Sequence, residues 1–220
     1  MPTHKTLLFD LGGVVLHNTT FECLNAMFAE PIGLPALKQR WLASDAVRAF
    51  ELGQVGPDEF AEAFIAEWMI DYTTDAFIHE FSAWPRGFYP GAAELLARLR
   101  RRHRTACLSN SNVLHWQRFG GFREHFDDAL SSHLLGAIKP DAECFRRALG
   151  LLKVEPGEVT FFDDTEANVI AADRLGIHAI HVDGFDELLR ALARERLLQL
   201  PKQQPGLDPR PGGACGSPAD

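Results

Sequence analysis

The sequence predicts an α/β protein: a Rossmann-like, doubly wound parallel sheet with an inserted α-helical cap. Three observations predict it. Short apolar runs alternate with helical stretches over residues 86–200, which implies parallel strands joined by crossovers. Several of these runs end in polar or acidic residues, namely Asp10, Ser109 and the pair Asp163–Asp164. Residues 17–85 interrupt the alternation with an aromatic-rich helical pattern that carries no strand signal.

Taken in order, "KTLLFDLGGVVLH" holds a buried strand over 6–10 that ends in Asp10. In "GPDEFAEAFIAEWMI", Pro57 sits in the first turn of a helix with acids behind it, and Phe60, Phe64 and Trp68 share one face. "TTDAFIHEFSAW" repeats the pattern with Phe77 and Phe81; these aromatics are expected to form the segment's own core, with Trp41 or Phe50 as candidates to line a substrate chamber. "YPGAAELLARLRRRH" is a helix begun near Pro90, and the basic cluster at 98–104 suits its negative C-terminus. Strands follow at 105–108 ("TACL") and at "DDALSS", with a helix around "NVLHWQRF" between them. Then come a helix in "KPDAECFRRALGLL", a strand in "VTFFDD", a helix in "TEANVIAADRLG" closed by Gly176, and a strand in "IHAIHV". His178 and His181 fall on opposite faces of that strand, so they are poor joint ligands. "GFDELLRALARERLLQL" is the last helix. The expected division is a core of 1–16 and 86–200, a cap of 17–85, and a Pro- and Gly-rich disordered tail of 201–220.

The chain of 220 residues carries 22 basic and 30 acidic side chains, a net charge of −8. That balance argues against non-specific nucleic-acid or anionic-membrane binding. No apolar run reaches the roughly 18 residues a membrane helix needs. Asp10 interrupts the N-terminal apolar segment, which excludes a signal peptide reading, so a cytoplasmic location is expected. Cys23, Cys107, Cys144 and Cys215 are scattered without a C-x-x-C pair and read as reduced structural thiols. The "NTT" sequon at Asn18 has no weight without a secretory signal. The sequence leaves monomer and homodimer open.

In a parallel sheet, ligands sit beyond the carboxyl ends of the strands. Asp10, Ser109, Asp163 and Asp164 therefore converge on one edge. Alone, each has an ordinary reading: an acid can cap a helix, a serine likewise, and Lys139 can be a solvated loop residue. Together, three carboxylates repel one another unless a hard divalent cation such as Mg²⁺ lies between them. Lys139 and the Ser109 hydroxyl complete a receptor for a phosphoryl group, with Asp10 free to attack phosphorus.

"FDLGGV", "LSN", "KP" and "FFDDTEAN" resemble, in order and spacing, the four motifs of the haloacid dehalogenase superfamily, over roughly residues 5–185. The helical insert is similar to the family's helical-cap subclass. The resemblance implies a Mg²⁺-dependent phosphatase that hydrolyses a small phosphorylated metabolite through an aspartyl-phosphate. It makes Asp10 the nucleophile and Lys139 its partner. Ser109, Asn110 and Lys139 bind the phosphate, and Asp10, the Gly12 carbonyl, Asp163 and Asp164 bind the metal. Asn168 takes a supporting position one helical turn on. "FELGQVGPDEFAEAF" and "FFDDTEANVIAADRLGI" are most similar to members acting on sugar phosphates such as glucose-1-phosphate.

Gly12 departs from the pattern, because phosphatases of the family carry an aspartate there as general acid and base. Its carbonyl remains available to a metal, but the proton-transfer group is lost, at a cost of roughly 10²–10⁴-fold in rate. His17 or Glu51 are candidates to replace it, or a substrate whose leaving group needs little protonation, such as an anomeric sugar phosphate, makes it less necessary. Gly12-Gly13 can also serve a turn with positive φ that turns backbone N–H groups toward phosphate. Two alternatives follow: a weakly active or non-catalytic phosphate-binding, regulatory member, and a 2-haloacid dehalogenase, whose branch also lacks that aspartate and uses no metal.

Overall fold

The structure is a computed structural model and describes residues 5–17, 19–118 and 122–198. The expected disordered tail lies outside the described residues. Strands β1 (Thr6–Phe9), β2 (Arg104–Ser109), β3 (Asp128–Ser131), β4 (Val159–Asp163) and β5 (His178–His181) form one sheet in the order β3-β2-β1-β4-β5. Every neighbouring pair is parallel. Phe9 stands level with Cys107 on one side and Phe162 on the other.

Alternation along the strands sorts side chains to two faces. Leu7, Phe9, Cys107 and Phe162 enter one cluster, with Leu95, Leu96 and Leu99 of α6 (Ala92–Leu99) and Leu188, Ala191 and Leu192 of the last helix, Phe185–Arg194. Leu8, Ala106, Leu108 and Phe161 enter the other, with Phe145, Ala148 and Leu149 of the helix Ala142–Leu152 and Ala172 of the helix Glu166–Asp173. Helices thus cover both faces, as a parallel sheet of apolar strands requires.

Between β1 and α6 the chain forms α1 (Thr20–Asn25), α2 (Leu34–Leu42), α3 (Asp45–Glu51), α4 (Pro57–Trp68) and α5 (Thr74–Ser82). Pro57 takes the first helical position, where its missing N–H would have no partner anyway. Phe60, Phe64, Trp68, Phe77 and Phe81 face inward together and are at most 1% exposed. Phe50, considered above as a chamber-lining residue, is buried in this aromatic cluster, and the partly buried Trp41, the other candidate, packs against it. Phe50 stacks on Phe60 at 4.2 Å, and Trp41 packs against Phe64, Trp68 and Trp84. The large rings of the inserted helices fill their own interior, with Val113 and Leu114 of the core packed against them.

Entry and exit of the insertion are tied by backbone hydrogen bonds: His17 N–H to the Gly87 carbonyl at 2.9 Å and Tyr89 N–H to the Val15 carbonyl at 3.0 Å. After β2 come α7 (Val113–Arg118) and α8 (Ser132–Leu135), then α9 (Ala142–Leu152), α10 (Glu166–Asp173) and α11 (Phe185–Arg194). The basic cluster serves more than a helix end. Arg100 and Arg104 reach the Asp127 and Asp128 carboxylates at 2.8 and 2.7 Å. Among the described residues, no helix is long and apolar enough to cross a membrane.

Candidate active site at the carboxyl edge of the sheet

The chain builds β1, β2 and β3 in one direction from the centre, then returns across β1 to add β4 and β5. The crevice at this reversal, between the tips of β1 and β4, is where an open parallel sheet presents a ligand site. Asp10 follows β1, Asp163 ends β4, and Asp164 follows it. Each offers a carboxylate oxygen within 4.8 Å of the others.

Lys139, 3% exposed, crosses this group. Its ammonium donates to Asp10 Oδ1 at 2.7 Å and to Asp163 Oδ2 at 2.6 Å. Asp163 is saturated further: Oδ1 accepts from the Thr165 N–H at 2.8 Å, and Asn168 Nδ2 lies 3.0 and 3.1 Å from its two oxygens. Asn168, expected to support the site, faces Asp163 itself. Asp10 Oδ2 has no protein hydrogen bond among the described residues.

The charges explain the titration. One ammonium faces three carboxylates. Burial is the largest influence on Asp10, and Asp163 and Asp164 add to it against Lys139, so its pKa rises to about 7. Asp164 is raised as well, by burial first and then by Asp163, with Lys139, Thr165 and Lys38 opposing. Burial alone would lower Lys139, but its two carboxylate partners outweigh it and hold the ammonium above the ordinary lysine range. Lys139 thus stays charged, while Asp10 and Asp164 carry negative charge at a cost. Such a set of oxygen donors fits a hard divalent cation.

The turn after Asp10 is tight. The Leu11 carbonyl accepts from the N–H groups of Val14, Val15 and Leu16. Gly13, at φ 81°, takes the left-handed conformation; Gly12 does not, so the positive-φ reading holds for one of the two glycines. A Cβ on Gly13 would lie 2.4 Å from Asp164 Oδ2, so the turn can approach the acid only with glycine there. The Gly12 carbonyl has no hydrogen bond among the described residues and remains open to a ligand.

Ser109 ends β2, two residues past the Phe9–Cys107 pair, and among the described residues its hydroxyl makes a single long contact, 3.4 Å to the Asn110 carbonyl. Asn110 is tied down. Its Nδ2 donates to the Lys139 carbonyl and its Oδ1 accepts the Lys139 N–H, both at 2.9 Å. The amide therefore fixes the lysine loop, and its side chain is not free in this arrangement.

Sequence reasoning missed His181, whose Nε2–H donates to the Asp164 carbonyl at 2.9 Å. The signal is the pairing of β5 with β4, which sets His181 level with Asp163; strand spacing alone does not reveal it. It also missed His115. That ring donates from Nε2 to the Phe81 carbonyl at 2.8 Å and joins α7 to the end of α5. Burial chiefly lowers its pKa to about 4, which keeps it neutral.

A haloacid dehalogenase-like hydrolase family model matches residues 4–176. Bifunctional epoxide hydrolase 2 of Sus scrofa is 38% identical over 87 residues, 40% of this chain and 16% of that protein. The chain thus corresponds to a small part of that relative. A family enzyme from Bacteroides thetaiotaomicron, solved in complex with magnesium and inorganic phosphate, superposes with a TM-score of 0.67 at 23% identity, over 81% of this chain and 94% of that one. A solved dehalogenase superposes with a TM-score of 0.62 at 22% identity, over 83% and 86% of the two chains.

Proposed function

The chain belongs to the haloacid dehalogenase-like hydrolase family, and on that premise we propose that it is a Mg²⁺-dependent phosphatase forming an aspartyl-phosphate on Asp10. The substrate class is a small phosphorylated metabolite, a sugar phosphate such as glucose-1-phosphate, in line with the resemblance to bacterial alpha-D-glucose-1-phosphate phosphatase. One observation carries the reading: three carboxylate oxygens within 4.8 Å share a crevice with a buried ammonium. The magnesium and phosphate complex of the Bacteroides enzyme supports it.

When bound, magnesium supplies positive charge toward phosphoryl oxygens. The chain's own groups do the rest. Lys139 holds Asp10 by Oδ1 and leaves Oδ2 to attack phosphorus. Asp163 and Asn168 hold Lys139 in place. Asp164, the Gly12 carbonyl and one Asp10 oxygen are the metal donors, with Asp163 supporting them. Ser109 offers its hydroxyl to the phosphate, and Asn110 aligns the lysine loop beside it.

The test is phosphate release from a phosphometabolite panel. Release is expected with Mg²⁺, lost with EDTA, and lowered by about 10⁴-fold or more in Asp10→Asn. The dehalogenase reading has one point in its favour, the missing aspartate at Gly12. The acid pair at the tip of β4 opposes it. Halide release from 2-haloacids, insensitive to EDTA, would establish that reading in place of ours. Slow turnover with a long-lived phosphorylated Asp10 would instead mark a phosphate-holding, regulatory protein.

A further inference from the structure

The turn at Gly12 carries no proton-transfer group, yet the leaving oxygen of an alkyl or sugar phosphate needs a proton. Helix α3 lies across the lysine loop. Its Arg48 pairs with Asp141, two residues beyond Lys139, at 2.7 Å. Just past its end, Gly53 at φ 70° packs so closely that a Cβ would lie 2.5 Å from the His133 carbonyl of α8. Ala46, Val47 and Phe50 turn into the aromatic interior. Glu51 lies one turn beyond Val47, at the edge of that buried face, and between the two anchors Arg48 and Gly53. Both anchors seat this end of α3 on the core, on either side of the half-buried Glu51.

We propose that the Glu51 carboxyl, presented by α3 to Asp10 and Lys139, is the general acid and base of the reaction. In the first half, Asp10 Oδ2 bonds to phosphorus and the phosphorus–leaving-group bond breaks. Protonated Glu51 gives its proton to the departing oxygen. In the second half, Glu51 takes a proton from water as the water oxygen attacks phosphorus. The bond to Asp10 breaks, phosphate leaves, and Glu51 is protonated again. The proposal rests on the phosphatase reading above.

The electrostatics agree with the placement. Burial is the main cause that raises the Glu51 pKa to about 7; Lys139 pulls it down and Asp10 pushes it up. Arg48, on the same helix, is paired with Asp141. A carboxyl near 7 can both give and take a proton at neutral pH. His17, the other candidate, is exposed, its ring packed on Tyr89 at 4.0 Å.

The experiment uses the full chain with Mg²⁺ and a series of substituted phenyl phosphates, from nitrophenyl to phenyl. In Glu51→Gln, turnover of phenyl phosphate is expected to fall by about 10²–10⁴-fold. The first-step burst from p-nitrophenyl phosphate, whose leaving group needs no proton, stays near wild type, and phosphorylated enzyme accumulates. The wild-type fall in kcat/KM for phenyl phosphate above about pH 7 flattens in the variant. Equal losses across the series, or a raised KM with kcat unchanged, would overturn the proposal. If Glu51→Gln does not fold, Glu51→Asp is read by the same leaving-group trend, and its absence is equally decisive. Wild-type enzyme that releases no phosphate from any of the series sinks the phosphatase reading itself. An active wild type matched by Glu51→Gln sinks only the role of Glu51.

Discussion

At the carboxyl edge of the sheet, Lys139 is held between Asp10 and Asp163 by bonds of 2.7 and 2.6 Å. In the insertion, Phe60 is held by rings of Phe50, Phe64, Phe77 and Phe81 at 4.2 to 5.8 Å. Both residues are almost fully buried, but the forces differ. The first contact is directional and charged, so each partner removed leaves another exposed to a low dielectric. The second is area and dispersion, so a lost ring leaves a void but no stranded charge. Removing a partner should therefore have consequences of a different kind in the two regions.

Lys139→Met tests the charged region. Breaking a buried pair on one side costs about 3–5 kcal/mol, to be read by denaturant unfolding in EDTA. The loss should depend on pH. Folding raises the Asp10 pKa, so folding favours its protonated form. That contribution is present below the ordinary carboxylate value near 4 and is lost as pH rises through about 7. Without the ammonium the dependence steepens, and Mg²⁺ should recover part of the loss.

Phe60→Ala tests the aromatic region. A truncated buried ring costs about 3–5 kcal/mol, with no dependence on pH or Mg²⁺. Equal Mg²⁺ sensitivity in the two variants would erase the distinction. Gly13→Ala has the smallest expected effect. It forces a side chain into the left-handed region, at about 1–3 kcal/mol, and presses on Asp164 Oδ2. Calorimetric Mg²⁺ titration should show weaker binding, whereas Phe60→Ala, where it folds, should bind as the wild type does.

Much of this was legible in the sequence because the strand tips carry the chemistry. An apolar run that ends in Asp10, Ser109 or Asp163–Asp164 reveals both the element and the edge. Spacing on α4 and α5 likewise revealed the buried ring faces. What stayed hidden depends on register and docking. His181 reaches Asp164 only because β5 pairs with β4 in one register. Asn110 read as a phosphate ligand, but its amide meets the Lys139 backbone, a partner 29 residues away. Glu51 and His17 are equal candidates in the sequence, and only the seating of α3 on the core at Arg48 and Gly53 distinguishes them.

The insertion leaves and rejoins the core at one paired neck, His17 to Gly87 and Tyr89 to Val15. That neck makes the helical segment an interchangeable part. Its length can change without sliding β1 against its neighbours, provided α3 keeps its seat on the core at Arg48 and Gly53.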